Sequence, residues 1–209
     1  MIASALHLSR ADVKALKITD AYSLHIAVYS LFDDIRTEDE KQKSVPSGIL
    51  YADKGGDFNG RKILMLSNRQ PNLPEHGKLE MKKIADSFLD CQHYRFEVVV
   101  NPTKRDNKTG KLLAIKKLTD DDASTRQKIA KWFTDKAPQW GFTVSPEHLE
   151  VREVEVKRFK KGGHEVTQAQ AKLLGRLTVI DKATFVQSFQ HGIGRGKAFG
   201  CGLLQIVPM

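Results

Sequence analysis

Two groups of residues in this chain have the types and spacing for chemistry. Tyr22 and His25 lie in a stretch whose apolar residues Leu24, Val28, Leu31 and Ile35 recur at helical spacing. Successive helix residues turn by about 100°, so Tyr22, His25 and Tyr29 share a face beside that stripe. Tyr22 and His25 are one turn apart and can touch or share a ligand. Histidine suits proton transfer because its pKa lies near neutral pH. The second group is the closing stretch from His191 to Pro208, where five of the fifteen glycines fall between Gly192 and Gly202. Gly194, Arg195, Gly196 and Lys197 form a loop of exposed N–H groups carrying two cations, which suits phosphate. Residue types alone leave two readings of each group open. His25 is a general acid/base, or a partly buried histidine at the edge of a core stripe. The loop binds phosphate, or it is a structural turn that lets an apolar segment, Leu203 to Val207, enter a sheet as a buried strand.

Two familiar phosphate loops do not fit. A nucleotide-binding P-loop needs a glycine where His191 stands and Ser or Thr where Ala198 stands. A dinucleotide fingerprint follows a strand and opens a helix, whereas this loop follows a helical stretch, Lys182 to Gln190, and opens a strand. The phosphate of a polynucleotide is left. Charge agrees: the net charge is +9, yet residues 1–90 hold 13 basic and 13 acidic side chains while residues 91–209 hold 21 and 12. All the excess lies in the second half, as expected if that half holds a polyanion. Within it, Lys104 and Arg105 follow a strand, and Lys157, Arg158, Lys160 and Lys161 crowd the tip of a hairpin running to His164. No apolar run is long enough to span a bilayer, and no basic amphipathic helix with an exposed apolar face points to a membrane surface. Cys91 and Cys201 form neither a metal-ligand spacing nor a disulfide framework, which fits a reducing cytoplasm.

The elements that must position these residues follow in order. Residues 1–9 read as a strand, and Thr19 or Asp20 caps the helix of Tyr22 and His25. Arg36 to Ser44 reads as a solvated loop. Gly48–Ala52 and Lys62–Leu66 read as strands around a turn from Lys54 to Gly60. Ser67 to Gly77 is a loop, and Lys78 to Asp90 is ambiguous between strand and helix. Then come a strand (Tyr94–Val100), a basic turn through Gly110, a helix (Asp120–Trp140, with Asp120, Asp121 and Asp122 at its N-terminus), and two long hairpin arms (Phe142–Lys157 and Val166–Ile180). A helix capped by Asp181 and the last strand complete the order βαββαβ, a ferredoxin-like unit. The first half reads as a worn copy. The expected fold is therefore α+β, two tandem ferredoxin-like domains, residues 1–90 and 91–209.

With these features in order, the chain resembles the CasE family, the CRISPR RNA-processing endoribonucleases of subtype I-E. The resemblance rests on the Tyr22-x-x-His25 pair, on Asn101-Pro-x-Lys-Arg105 after a strand, on the basic hairpin, and on Gly-Ile-Gly-x-x-Lys-Ala-x-Gly-x-Gly-Leu-Leu from Gly192 to Leu204. It implies metal-independent cleavage of precursor RNA at the 3′ base of a repeat stem-loop. The ribose 2′-hydroxyl attacks, giving a 2′,3′-cyclic phosphate and a 5′-hydroxyl. No metal and no cofactor are expected. His25 would be the general acid/base, and Tyr22 would orient the nucleotide or hydrogen-bond its phosphate. Lys104, Arg105, Lys157, Arg158, Lys160 and Lys161, with Gly194, Arg195, Gly196 and Lys197, would bind the RNA. Implied partners are the repeat stem-loop, which the protein keeps after cutting, and the other subunits of a type I-E surveillance complex (Cascade). Some members of the family carry a basic residue five positions after the histidine; here that position is Ser30, so a second cation would have to come from elsewhere, such as Arg195 or Lys197. Tyr29 reads as packing, and the other six histidines have no partner pattern. The alternative is a stem-loop RNA-binding subunit of a ribonucleoprotein with no chemistry.

Overall fold

The computed structural model describes residues 1–43, 45–57, 60–106, 108–115 and 122–209. The chain opens on β1 (Ile2–Leu8), whose alternation buries Ser4, Leu6 and Leu8 on one face. Ser9 and Asp12 form a reciprocal cap that starts a short helix, α1 (Arg10–Ala15). The same device starts α2 (Ala21–Tyr29): the Asp20 carboxylate accepts the Ser23 N–H at 2.8 Å, and the Ser23 hydroxyl accepts the Asp20 N–H at 2.9 Å. Thr37 and Glu40 cap α3 (Glu38–Gln42) in the same way. Strands β2 (Ile49–Asp57), β3 (Gly60–Ser67) and β4 (Lys78–Lys83) complete a sheet of order β2-β3-β1-β4 in which every neighbouring pair is antiparallel. Helix α2 buries Leu24, Ala27 and Val28 against Leu6, Leu8, Tyr51, Ile63 and Met65.

After a 3-10 turn at Asp86–Leu89, the second half contributes β5 (His93–Val100), a small ribbon of β6 (Thr103–Arg105) and β7 (Leu112–Ala114), and α4 (Asp122–Lys136). Then come β8 (Phe142–Lys161), β9 (His164–Val179), α5 (Lys182–His191) and β10 (Gln205–Pro208). The sheet order is β10-β5-β9-β8, again antiparallel throughout. Ile129 and Phe133 of α4 and Phe185 of α5 pack on Tyr94, Phe96, Val98, Leu173 and Leu177. In each sheet the strands stand fourth, first, third, second, the ferredoxin-like arrangement. Only the second half carries both helices; no helix lies between β3 and β4 among the described residues.

The structure corrects several local expectations. The Arg36–Ser44 stretch is not all loop, because Thr37-x-x-Glu40 caps α3; Ser44 lies outside the described residues. Helix α2 ends at Tyr29, so Ile35 leaves the apolar stripe and is 65% exposed. The hairpin expected to turn over Lys54–Gly60 stays paired to Asp57, with a bulge between Asp53 and Gly56 absorbing Lys54 and Gly55; Phe58 and Asn59 lie outside the described residues. Lys78–Lys83 is strand and Asp86–Leu89 a single turn. The basic segment after Val100 is a ribbon, not a bare turn, and its Asn107 is outside the described residues. Asp120 and Asp121 are outside them too, and the helix gives way at Lys136 to a 3-10 turn containing Pro138. The hairpin arms pair through Lys161 and His164, so the four cations lie on strand and only Gly162 and Gly163 turn. Leu203 and Leu204 are buried but precede β10, whose Val207 is 63% exposed.

The two sheets are joined by apolar packing of Leu50, Ala52 and Leu66 against Phe189 and Leu203. The Lys54 ammonium reaches both the Glu97 carboxylate and Gln205. Residues paired across antiparallel strands share a face. Lys157, Phe159 and Lys161 of β8 therefore stand with their partners Gln168, Val166 and His164, facing the closing loop. Arg158 and Lys160 alternate to the opposite face.

Candidate active site

The glycine loop is tied at its base. The Ile193 N–H donates to the Gly202 carbonyl at 3.0 Å, and the Gly202 N–H donates to Val99 at 2.7 Å. At Gly202, φ is +85° and a Cβ would lie 2.5 Å from the Ile193 carbonyl oxygen, so only glycine fits. Further out, Gly194 (φ +69°) and Gly196 (φ +76°) flank Arg195, whose φ is not positive. Alternation of this kind turns successive N–H groups toward one side, an anion-binding nest. Among the described residues, the N–H groups of Gly194, Arg195 and Gly196 have no protein acceptor. The loop ends in a 3-10 turn, Lys197–Phe199. That turn is held by Tyr51, whose hydroxyl donates to the Ala198 carbonyl at 3.1 Å, and by Gln170, whose amide donates to the Phe199 carbonyl at 3.0 Å. Gln168 donates to Cys201 Sγ at 3.2 Å. Burial pushes the Cys201 thiol up to about 12, so it is not a nucleophile at neutral pH.

This turn rests directly against α2. The Phe199 ring lies 5.5 Å from the His25 ring and 4.6 Å from that of Phe159 on β8. The Lys161 ammonium stands 5.8 Å from the centre of the Phe199 ring. His25 is also 4.1 Å from Tyr29 and 6.0 Å from Tyr22, the latter nearly parallel. Burial lowers the His25 pKa from its ordinary 6.5, a contact with the Ala198 carbonyl partly offsets this, and the charge of Lys161 lowers it further. The lowered pKa favours the neutral imidazole at pH 7, and among the described residues the buried Nδ1 of His25 has no protein partner. A neutral imidazole can accept a proton at the ring nitrogen that carries no hydrogen.

His25 opens into a cavity of about 710 Å³ between α2, α3 and the loop. Its walls include Lys161, Gly194, Arg195, Gly196 and Lys197, and no Asp or Glu among the described residues. Burial alone lowers the Lys197 pKa. The structure thus brings together His25, Lys161 and the four loop residues expected to bind RNA. The Tyr22 ring stacks on His25, but Tyr22 is not part of the cavity wall. Lys157 and Arg158 line a second cavity of about 550 Å³, where Lys157 is paired with Glu155 at 2.9 Å and Lys172 with Glu153 at 3.7 Å. Lys160 is exposed near the hairpin end. Lys104 and Arg105 sit on the ribbon, where Arg105 donates to the Gly110 carbonyl at 3.0 Å, and neither lines the His25 cavity. Ser30 is exposed and its hydroxyl donates to the Ala27 carbonyl at 3.0 Å. Among the described residues, no three His, Cys, Asp or Glu side chains gather as a metal site. Among the described residues, no helix is long and apolar enough to cross a membrane.

Four residues of the wall escaped the sequence reading: Tyr29, Arg36, Lys41 and His191. Tyr29, read as packing, follows His25 by one helical turn, and its hydroxyl hydrogen-bonds Ser47 at 3.1 Å. Arg36 and Lys41 are brought over the cavity by the fold around α3, where both pair with Asp34. The capping pattern Thr37-x-x-Glu40 was the signal for that helix. His191 had no signal beyond standing next to the glycines.

The profile of the family described as "CRISPR associated protein" matches residues 1–208. A CRISPR-associated endoribonuclease Cse3 of Thermus thermophilus is 34% identical over 128 residues, 56% of this chain. The match spans 56% of that relative's length, so just over half of it is represented. Among solved structures, Thermus thermophilus Cse3 bound to an RNA representing a pre-cleavage complex superposes with a TM-score of 0.77 at 19% identity, covering 99% of this chain and 98% of that one. A chain of a CRISPR RNA-guided surveillance complex, pre-nicking, gives 0.71 at 18%, covering 99% and 100%. At these identities the superpositions establish a shared fold.

Proposed function

The chain belongs to the family of CRISPR-associated proteins, and from that premise we propose that it is a metal-independent endoribonuclease that processes CRISPR precursor RNA. It cuts at the 3′ base of the repeat stem-loop by attack of the adjacent 2′-hydroxyl. The products are a 2′,3′-cyclic phosphate and a 5′-hydroxyl, and the mature guide RNA stays bound. The observation that carries this reading is the placement of His25: a neutral imidazole, packed against the turn of a glycine-rich nest, facing a cavity walled by cations and free of carboxylates. Such a cavity accepts a phosphodiester, and such an imidazole takes the proton from the 2′-oxygen and returns one to the leaving 5′-oxygen. Tyr22 holds the His25 ring and orients the nucleotide. The N–H groups of Gly194, Arg195 and Gly196, with the side chains of Arg195 and Lys197, hold the reacting phosphate. Arg158, Lys160 and Lys161 follow the phosphates of the stem, whose deep, narrow major groove side chains cannot read. Lys157, Lys104 and Arg105 extend that basic surface.

The catalytic helix belongs to a domain of residues 1–90, and the basic hairpin and glycine loop to a domain of residues 91–209. The relative in Thermus thermophilus is named an endoribonuclease, and a chain of the same fold occurs in an RNA-guided surveillance complex. In keeping with these, we place this protein in the cytoplasm as a subunit of a type I-E surveillance complex. The test is a cleavage assay in EDTA on the repeat RNA of the source organism's CRISPR array. Wild type is expected to cut. His25→Ala should cut about 10²–10⁴-fold more slowly, and RNA with a 2′-deoxy nucleotide before the scissile phosphate should stay whole, both with binding retained. Tight binding by wild type without any cutting would leave a stem-loop-binding subunit and refute the nuclease.

A further inference from the structure

In the nuclease just proposed, and resting on that reading, we infer that Tyr29 and Phe199 are positioning residues for His25. With Tyr22 they enclose its imidazole in an aromatic cage, whose ring faces stabilise the positive charge gained with the proton of the 2′-hydroxyl. Three ring centres stand within 6.0 Å of the His25 ring: Tyr29 at 4.1 Å, Phe199 at 5.5 Å and Tyr22 at 6.0 Å. Aromatic pairs usually keep their centres about 4.5–7 Å apart, so the Tyr29 contact, at 4.1 Å, is too close for rings that meet edge to edge. An aromatic face is the negative side of the ring and attracts a cation within about 6 Å of its centre. Tyr22 and Tyr29 stand one helical turn before and one after His25, on one side of α2. Phe199 closes the cage from the turn that ends the glycine loop.

The rest of the site opposes an imidazolium. Among the described residues no Asp or Glu lines the cavity, and the buried Nδ1 of His25 has no protein partner. The titratable groups that share the cavity are Tyr29, Arg36, Lys41, Lys161, His191, Arg195 and Lys197. Every charged one is a cation, and both burial and the charge of Lys161 act against a charge on His25. In the free protein the Ala198 carbonyl and the ring faces act the other way. A ring face stabilises a desolvated cation more than an exposed one, and His25 is half-buried. The cage is also fixed from behind. The Tyr29 hydroxyl hydrogen-bonds Ser47 at 3.1 Å, and Arg69 donates to the Ser47 and Asp33 carbonyls, each at 2.8 Å. Phe199 is backed by the buried Phe159 at 4.6 Å, and its carbonyl accepts from Gln170 at 3.0 Å. The imidazole thus keeps one orientation while the 2′-O–H bond breaks, the proton joins the ring nitrogen, and it passes on to the leaving 5′-oxygen.

The sign of a pH shift separates such a cage from mere packing. Loss of a ring face that stabilises the imidazolium moves the His25 titration to lower pH. Loss of a ring that only buries His25 admits water and moves it to higher pH. Tyr29→Leu and Phe199→Leu each remove one face and keep an apolar side chain; Tyr29→Phe keeps the face and removes the bond to Ser47. NMR of the histidine ring protons follows the titration in the free protein, with the His25 signal identified by its loss in His25→Ala. Single-turnover cleavage by saturating protein is measured over the same pH range. Tyr29→Leu should titrate lower by about 0.4–1.5 in pH, with a plateau rate about 2–30-fold below wild type. Phe199→Leu should shift the same way by less, and Tyr29→Phe should titrate as wild type. If Tyr29→Leu does not fold, Phe199→Leu decides by the same sign. A titration that stays in place or rises in the leucine variants overturns the inference, as does an equal fall in Tyr29→Phe. So does a plateau rate equal to wild type in a variant whose titration has fallen. If wild type binds the stem-loop without cutting it, the nuclease reading fails and the inference falls with it; if wild type cuts and the titration does not move, only the inference falls.

Discussion

Replacing Gly202 or Gly194 by alanine tests how the glycine loop is held. Both residues have positive φ, +85° and +69°, so each substitution costs about 1 kcal/mol for placing an L-residue in the left-handed region. The loss of glycine's freedom in the unfolded chain is the same at both and cancels in the comparison. Their surroundings differ. Around Gly194 a new Cβ meets nothing within 4 Å, whereas at Gly202 it would lie 2.5 Å from the Ile193 carbonyl oxygen. That contact is main chain and cannot swing aside. Relief requires parting the base of the loop, with loss of the Ile193–Gly202 hydrogen bond (3.0 Å) and the Gly202–Val99 hydrogen bond (2.7 Å). At about 1 kcal/mol each, Gly202→Ala should be destabilised by about 3 kcal/mol and Gly194→Ala by about 1 kcal/mol. For a chain of this size these correspond to falls in Tm of about 6–12 °C and about 2–4 °C. Thermal melts followed by circular dichroism measure both. Cleavage assays well below each Tm should show Gly202→Ala impaired, because opening the loop base moves Ala198 and Phe199 away from His25. Equal melting temperatures would refute the claim that the loop is set by its main-chain tie at Gly202. An undiminished rate in a destabilised Gly202→Ala would refute the claim that the tie positions the turn against His25.

Four further outcomes follow from the same geometry. Because the His25 pKa is lowered from 6.5, the second-order rate of RNA cleavage should be flat from pH 7 to 8 and fall only below that ordinary value. Lys161→Met removes one of the two lowering influences and should move the acidic limb upward; a downward shift would contradict the assignment. A depressed histidine is also protonated first in the unfolded chain as pH falls through 6.5. Folded stability should therefore decline below that pH, and less so in His25→Ala. Affinity for the stem-loop should fall steeply with salt, and Arg158→Ala should reduce the slope of log Kd against log salt by about 0.7–0.9 while lowering affinity; an unchanged slope would remove Arg158 from the phosphate contacts. Finally, Tyr51→Phe deletes the hydroxyl that fixes the Ala198 carbonyl at 3.1 Å. It should cost about 1 kcal/mol, seen as about 2–4 °C in Tm, together with a slower cleavage step; a mutant that melts and cuts like wild type would show that this bond positions nothing.

Much of the architecture was legible in the residues. The Asp20 and Asp181 caps, the strands read at residues 1–9 and Tyr94–Val100, and the apolar stripe of α2 are local signals, and each element they imply is present. Asymmetric charge and the spacing Tyr22-x-x-His25 were equally local. Element ends were less legible where pairing overrode composition. Lys157–Lys161 is polar enough for a loop, yet it is strand because β9 offers a partner with Phe159 buried between. Leu203 and Leu204 are apolar enough for a strand, yet they are buried without ladder pairing.

The site itself is a tertiary product. His25 and Phe199 are separated by most of the chain, and no periodicity relates them. They meet because the two sheets pack through Leu50, Leu66, Phe189 and Leu203, which leaves the glycine turn against α2 with Phe199 between His25 and β8. Burial in that seam lowers the His25 and Lys197 pKa values, and burial is a property of the packed molecule alone. Residue types and spacing determined which groups were able to do chemistry here. Only the packing decided which of them share a cavity, which are neutralised by carboxylates and which remain unpaired.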